Sequence, residues 1–139
     1  MTIYKLNNFS VHELVPPETF EKFGNRAIRY IDPRLIATLN AIRDYVNTPM
    51  TINNYKFGGD RIGSGLRLPG SKYHSIYSAH SHGMAFDAVG DFDYREIRQD
   101  IIDKERELLP HPVRLEMDIN WLHVDVMNET DEFVVTFNP

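Results

Sequence analysis

Val113-Arg114-Leu115-Glu116-Met117-Asp118-Ile119-Asn120-Trp121-Leu122-His123-Val124-Asp125-Val126 is the stretch on which the fold turns. Apolar and polar residues alternate on both sides of its centre, the two-residue period of half-buried strands. Pairing 113–118 with 121–126 across a two-residue turn at Ile119-Asn120 sets Val113 against Val126, Leu115 against Val124 and Met117 against Leu122. All three pairs are apolar. The other face then sets Arg114 against Asp125, Glu116 against His123 and Asp118 against Trp121. A slip of one residue would destroy this sorting, so this register is the expected one. Directly opposed side chains have Cβ atoms ~5 Å apart. Glu116 is therefore expected beside His123.

Further strands are expected at Met84–Val89, at 133–137 and, briefly, at Met50–Tyr55. Asp32 followed by Pro33 opens a helix, and Leu35, Leu39, Ile42 and Val46 carry it at helical spacing over 33–46. Ser10-Val11-His12-Glu13 is a capping box for a short helix that Pro16-Pro17 ends. Asp93-Tyr94-Arg95-Glu96 is another, opening a helix that runs to Pro110. Residues 56–72 form a long loop with five glycines, a segment of the kind that is functional or mobile. These elements predict an α+β fold, a small antiparallel sheet with helices packed on one face.

The chain has 139 residues, which suits one domain over 1–139. It has no cysteine, so disulfides, thiolate metal sites and a cysteine nucleophile are excluded. Basic residues number 15 against 20 acidic, a net charge of −5 with no basic patch, and nucleic acid is not an expected partner. No apolar run exceeds three residues, so no membrane span is expected. The first residues, Met1-Thr2-Ile3-Tyr4-Lys5-Leu6, lack a basic flank leading into an apolar stretch. The chain is expected to be made in the cytoplasm without a standard export signal.

Chemistry concentrates in Ser78-Ala79-His80-Ser81-His82-Gly83-Met84-Ala85-Phe86-Asp87 and in Trp121-Leu122-His123-Val124-Asp125. Imidazole and carboxylate together are a typical zinc ligand set. In the 121–126 strand, Leu122, Val124 and Val126 point one way, and Trp121, His123 and Asp125 the other. Asp87 likewise lies opposite Met84 and Phe86. His82 competes with its neighbour His80 as a ligand, and Asp125 as a partner of Arg114 is favoured over Asp125 as a catalytic group. His12 and His111 fit no ligand pattern.

Ser78-x-His80-x-x-Gly83-x-Ala85-x-Asp87 with His123-x-Asp125 resembles the zinc D-alanyl-D-alanine carboxypeptidases and L-alanyl-D-glutamate endolysins, phage-encoded members above all. The resemblance spans about 32–125. It implies the hedgehog/DD-peptidase fold and a Zn2+ ion held by His80, Asp87 and His123. It also implies small residues at Gly83 and Ala85, where the chain turns tightly beside the metal. Several members place the catalytic acid three residues before the last histidine, where this chain has Asn120. The hairpin register supplies a replacement, Glu116, as general base and acid, with Asp118 as the runner-up. Arg67 matches an arginine that steadies substrate and oxyanion. Ser78 either bonds substrate or caps a turn, and Tyr73, His74 and Trp121 are candidates for the groove wall.

The expected activity is hydrolysis of a peptide bond in bacterial peptidoglycan, of carboxypeptidase or endolysin type. The partner is the stem peptide, with phage virion proteins as a further candidate. Action at the cell wall would follow lysis-type release or delivery as a virion component. The alternative is a non-catalytic metal-binding or phage structural module on the same fold.

Overall fold

The computed structural model describes residues 2–139. Met1, the first residue of the expected domain and of the leader reading, lies outside the described residues. The 113–126 stretch forms two antiparallel strands, β3 (Val113–Glu116) and β4 (Leu122–Asp125), in the expected register: Arg114 faces Asp125 and Leu115 faces Val124. The strands are shorter than expected, and residues 117–121 form the connection in place of a two-residue turn. Asp118 has a left-handed backbone there, φ 56°, which takes it off the ladder and out to solvent. It does not stand opposite Trp121 as the longer hairpin required.

β2 (Ala85–Gly90) pairs antiparallel with the free edge of β4, and β1 (Met50–Thr51) pairs with β2. β5 (Val134–Phe137) lies outside β3 and completes the order β1-β2-β4-β3-β5. β5 runs parallel to β3, so the sheet is mixed, whereas an antiparallel one was expected. The reason is topological: both edges of β4 are taken by β2 and β3, so the chain that returns antiparallel to β4 pairs beyond β3 and runs in the direction of β3. Asn128 braces this crossing, its Nδ2 donating to the carbonyls of Val113 and Glu132 at 3.0 and 2.9 Å. The α+β class stands.

Helix α1 (Pro17–Phe23) corrects the reading of Pro16-Pro17 as a helix end. Pro17 occupies the first helical position, where the missing N–H has no partner to lose. The preceding Val11–Glu13 segment is a single 3-10 turn, with the Glu13 carboxylate accepting from the Ser10 N–H at 3.0 Å. Helix α2 (Pro33–Val46) begins as expected, Asp32 Oδ1 accepting the Arg34 N–H at 2.8 Å, and ends at Asn47 in a left-handed cap. Helix α3 (Tyr94–Lys104) is capped by Asp93, which accepts the Glu96 N–H at 3.0 Å. It stops short of Pro110 because Glu105 takes φ 35°, after which only a 3-10 turn follows.

Leu35, Leu39 and Ile42 of α2 and Ile97 and Ile101 of α3 share one core cluster with Phe86, Ala88, Leu122, Val124, Val113 and Leu115 of the sheet. This is one face of each strand, as the alternation dictates. The other face carries Asp87, His123, Asp125, Glu116 and Arg114. Among the described residues no helix is long and apolar enough to cross a membrane.

Candidate metal centre

His80 sits on a one-turn 3-10 helix (Ala79–His82) that leads into β2. Ser78 caps it, its Oγ accepting the His80 N–H at 3.3 Å. Gly83 ends it with φ +67°, and a Cβ there would collide with the Tyr30 carbonyl, so only glycine fits. Two residues on, Ala85 enters β2 on the same face as Asp87, and Asp87 lies directly across from His123 on β4. The strand pairing therefore brings together residues 36 positions apart.

His80, Asp87 and His123 form a group whose ligand atoms all lie within 4.8 Å of one another. Both imidazoles are buried and Asp87 nearly so. Asp87 Oδ1 is bracketed by His80 Nε2 at 3.2 Å and His123 Nδ1 at 2.8 Å. Each imidazole is oriented through its far nitrogen. His80 Nδ1–H donates to the Gly65 carbonyl at 2.9 Å, which leaves Nε2 as the nitrogen facing the group. His123 Nε2–H donates to Asp125 Oδ2 at 2.9 Å, which leaves Nδ1 facing it. A carbonyl or carboxylate behind each ligating histidine is the arrangement that fixes tautomer and ring direction at metal sites. These donors suit a divalent transition metal, and the three residues can hold one.

The same atoms set the local charge. Burial alone would push His123 down, but its hydrogen bonds to Asp125 and Asp87 prevail and raise it to about 9. Burial would likewise raise Asp87, yet the hydrogen bonds from His123 and His80 hold it well below the usual carboxylate range. A proton on His123 Nδ1 and a metal ion compete for one lone pair, so metal binding releases that proton.

Glu116 stands where the hairpin register put it. Its Oε2 is 3.9 Å from His123 Nδ1, and its side chain is mostly covered but open to the cavity. Asp125 is fully buried and forms the expected pair with Arg114, Nε to Oδ1 at 2.8 Å and the second guanidinium nitrogen to Oδ2 at 3.0 Å. Arg67 reaches the site from the long loop, 3.4 Å from Asp87 Oδ2, with its Nε donating to the Gly63 carbonyl at 2.7 Å. Trp121 and Ser78 line the site cavity, and Tyr73 lines the one adjoining it with Arg67 and Trp121. His82 turns away, its Nε2 against the Ile76 carbonyl at 2.7 Å, and is not part of the group. His74 lines a separate cavity together with His82, and Asn120 lies exposed in the 117–121 connection.

Several contributors were not legible in the chain. Gly65 was counted only as one of five loop glycines, yet its carbonyl orients His80. Its own position is forced, because a Cβ would strike the Leu14 backbone. Residues 64–66 are pinned, Leu66 N–H on the Leu14 carbonyl at 2.8 Å and Asp87 N–H on the Ser64 carbonyl at 2.8 Å. Asn53 was read as part of a strand extending to Tyr55. It is instead buried, its Oδ1 accepting the Ser64 N–H at 2.9 Å and its Nδ2 donating to the Val15 carbonyl at 3.2 Å. Arg98 of α3, also buried, holds the Trp121 and Ile119 carbonyls at 3.0 and 3.3 Å and so braces the connection beneath Trp121. Phe137 packs edge-on against His123, the ring centres 5.7 Å apart, because parallel pairing sets it level with Glu116. A charged residue on a helix gives no local signal that its partners are carbonyls 21 and 23 positions away. No family model, curated protein or solved structure matches the chain.

Proposed function

We propose that the chain is a zinc-dependent peptidase acting on bacterial peptidoglycan peptides, with the zinc D-alanyl-D-alanine carboxypeptidase and L-alanyl-D-glutamate endolysin group as its family. One observation carries this reading: two imidazoles, each oriented from behind, and a carboxylate converge on a cavity with the Glu116 carboxylate beside them. A structural ion pair needs no open cavity in front of it. When bound, a divalent ion such as zinc supplies Lewis-acid chemistry, polarising a carbonyl and acidifying water.

The protein's own residues account for the remaining requirements. Glu116 accepts the proton of the attacking water at a carboxylate oxygen and returns it to the leaving amine. Arg67 brings a guanidinium to the same cavity, where negative charge develops on the carbonyl oxygen. Ser78 keeps His80 in place through its cap and retains its own O–H for substrate. Trp121 and Tyr73 wall the cleft and hold the peptide against the reacting groups.

A second reading, a metal-binding or phage structural module without hydrolysis, is favoured by Asn120, whose carboxamide takes up no proton. Mass spectrometry of purified peptidoglycan incubated with the zinc-loaded protein separates the two. Fragments from the wild type, absent with chelator and with Glu116→Gln, are expected. Bound zinc at full stoichiometry with no fragments from several wall chemistries would establish the second reading. Release by a phage particle, or assembly with tail proteins, would then locate its use.

A further inference from the structure

The segment 70–77 lies between the long loop and the turn that bears His80, and the fold grips it at few points. Among the described residues, its hydrogen bonds close within three positions in all but two cases. The Gly70 and Ser71 N–H groups donate to the Leu68 carbonyl, His74 N–H to the Ser71 carbonyl, and Ser78 N–H to the Ser75 carbonyl, all at 3.0–3.1 Å. Ser71 Oγ and Ser75 Oγ accept the Tyr73 and Tyr77 N–H groups at 3.2 and 3.3 Å. The two exceptions span six positions each. Arg67 reaches the Tyr73 carbonyl at 3.4 Å, near the limit of a hydrogen bond. His82 Nε2–H donates to the Ile76 carbonyl at 2.7 Å.

His82 belongs to the Ala79–His82 turn, which is fixed at its end. Gly83 lies against the Tyr30 carbonyl, its own carbonyl accepts the Asp32 N–H at 2.9 Å, and Met84 N–H donates to the Ala79 carbonyl at 3.0 Å. The His82 bond therefore ties a weakly held segment to a firmly held one. Hydrogen bonds that close locally keep the shape of a turn but do not place it against the rest of the molecule. That placement falls to His82.

What it places is Tyr77, the residue after the Ile76 carbonyl. Tyr77 lines the cavity of the candidate metal centre with His80, Asp87, Glu116 and His123, and it is 87% exposed. Of the eight large apolar side chains exposed among the described residues, five lie in 57–77: Phe57, Ile62, Tyr73, Ile76 and Tyr77. Single exposed apolar residues are ordinary, but their concentration in the segment beside the cavity marks a contact surface. Tyrosine suits that task, since it offers a large amphipathic ring with only two side-chain torsions to immobilise.

We propose that Tyr77 contacts the bound peptide and that His82 is the positioning residue that holds it at the cavity through the Ile76 carbonyl. This rests on the peptidase reading above. It gives the second histidine of His80-Ser81-His82 a task other than metal binding.

The test uses the zinc-loaded protein and soluble muropeptides released from purified peptidoglycan by a muramidase, with kinetics on one that the wild type cleaves. Tyr77→Ala should raise KM about tenfold with kcat within about twofold, the pattern of binding lost equally from ground and transition states. His82→Ala should raise KM about fivefold with kcat likewise kept. His82→Gln, whose carboxamide can donate to the Ile76 carbonyl, should restore most of the loss. Adding His82→Ala to Tyr77→Ala should raise KM no further, because residues acting through one contact are not additive. Hydrogen exchange needs no substrate: the Tyr77 and Ser78 amides should exchange about tenfold faster in His82→Ala, with β2 unchanged. Zinc affinity should be unchanged in His82→Ala, since His82 is not in the ligand group. An unchanged KM in Tyr77→Ala overturns the contact. Unchanged exchange or weakened zinc binding in His82→Ala overturns the positioning role. Both outcomes leave the peptidase reading intact, whereas no cleavage of any muropeptide by the wild type overturns that reading and this one together.

Discussion

Glu116 and Asp125 divide the work around His123, and each is testable alone. Glu116 Oε2 stands 3.9 Å from His123 Nδ1, beyond hydrogen-bond distance, so Glu116→Gln should leave metal content unchanged. It should lower kcat by about 10²–10⁴, the usual contribution of a positioned acid–base group. Metal analysis with fragment release on the same sample checks both halves. Asp125 acts differently: it accepts the far N–H of a proposed ligand, His123, and neutralises Arg114. Asp125→Asn should weaken metal binding by about 10–100-fold, measured by competition with a chromogenic chelator. Unchanged affinity there would leave the Asp125–His123 bond with a purely structural role.

At the scale of elements, two short features set the site. The N-cap of α2 is Asp32, its carboxyl lowered from the ordinary carboxylate value by its hydrogen bond to Arg34. Asp32→Ala should cost about 1 kcal/mol in urea unfolding. Because the folded value is depressed, that stabilisation is present in full above pH ~4 and is lost as pH falls through the folded value. The gap between wild type and Asp32→Ala should therefore close in acid. Gly83, which ends the turn bearing His80, should tolerate no side chain. Gly83→Ala combines a left-handed backbone, about 1–2 kcal/mol for an L-residue, with a collision at the Tyr30 carbonyl. It should lower the thermal midpoint and loosen metal binding together, since His80 moves with the turn. The 113–126 hairpin shows how far such local reading reaches. Its register was legible because apolar and polar residues sort onto two faces in only one alignment. Its turn was not, because the left-handed Asp118 and the Arg98 brace depend on a helix elsewhere in the chain.

For the whole molecule, the candidate metal centre joins the long loop, the His80 turn, β2 and β4, so occupancy should stabilise the entire fold. Zinc at a hundred times its Kd should add about 2.7 kcal/mol to the unfolding free energy. Scanning calorimetry should show the midpoint rise with zinc, fall with chelator, and respond to neither in His123→Ala. A rise of equal size in His123→Ala would place the bound ion elsewhere.

The sequence by itself determined the α+β class, the capped α2 helix, the β3–β4 register and the facing of Glu116 toward His123. All of these are consequences of short-range periodicity and capping chemistry. The resemblance of its motifs marked His80, Asp87 and His123, and the alternation set Asp87 and His123 opposite apolar faces. The tertiary structure alone decided the parallel return of β5, the helix that starts at Pro17, and the carbonyl of Gly65 behind His80. It also decided the cavity beside the site that Tyr73 lines with Arg67 and Trp121. Those features arise from long-range competition for sheet edges and for buried hydrogen-bond partners, which no local pattern records.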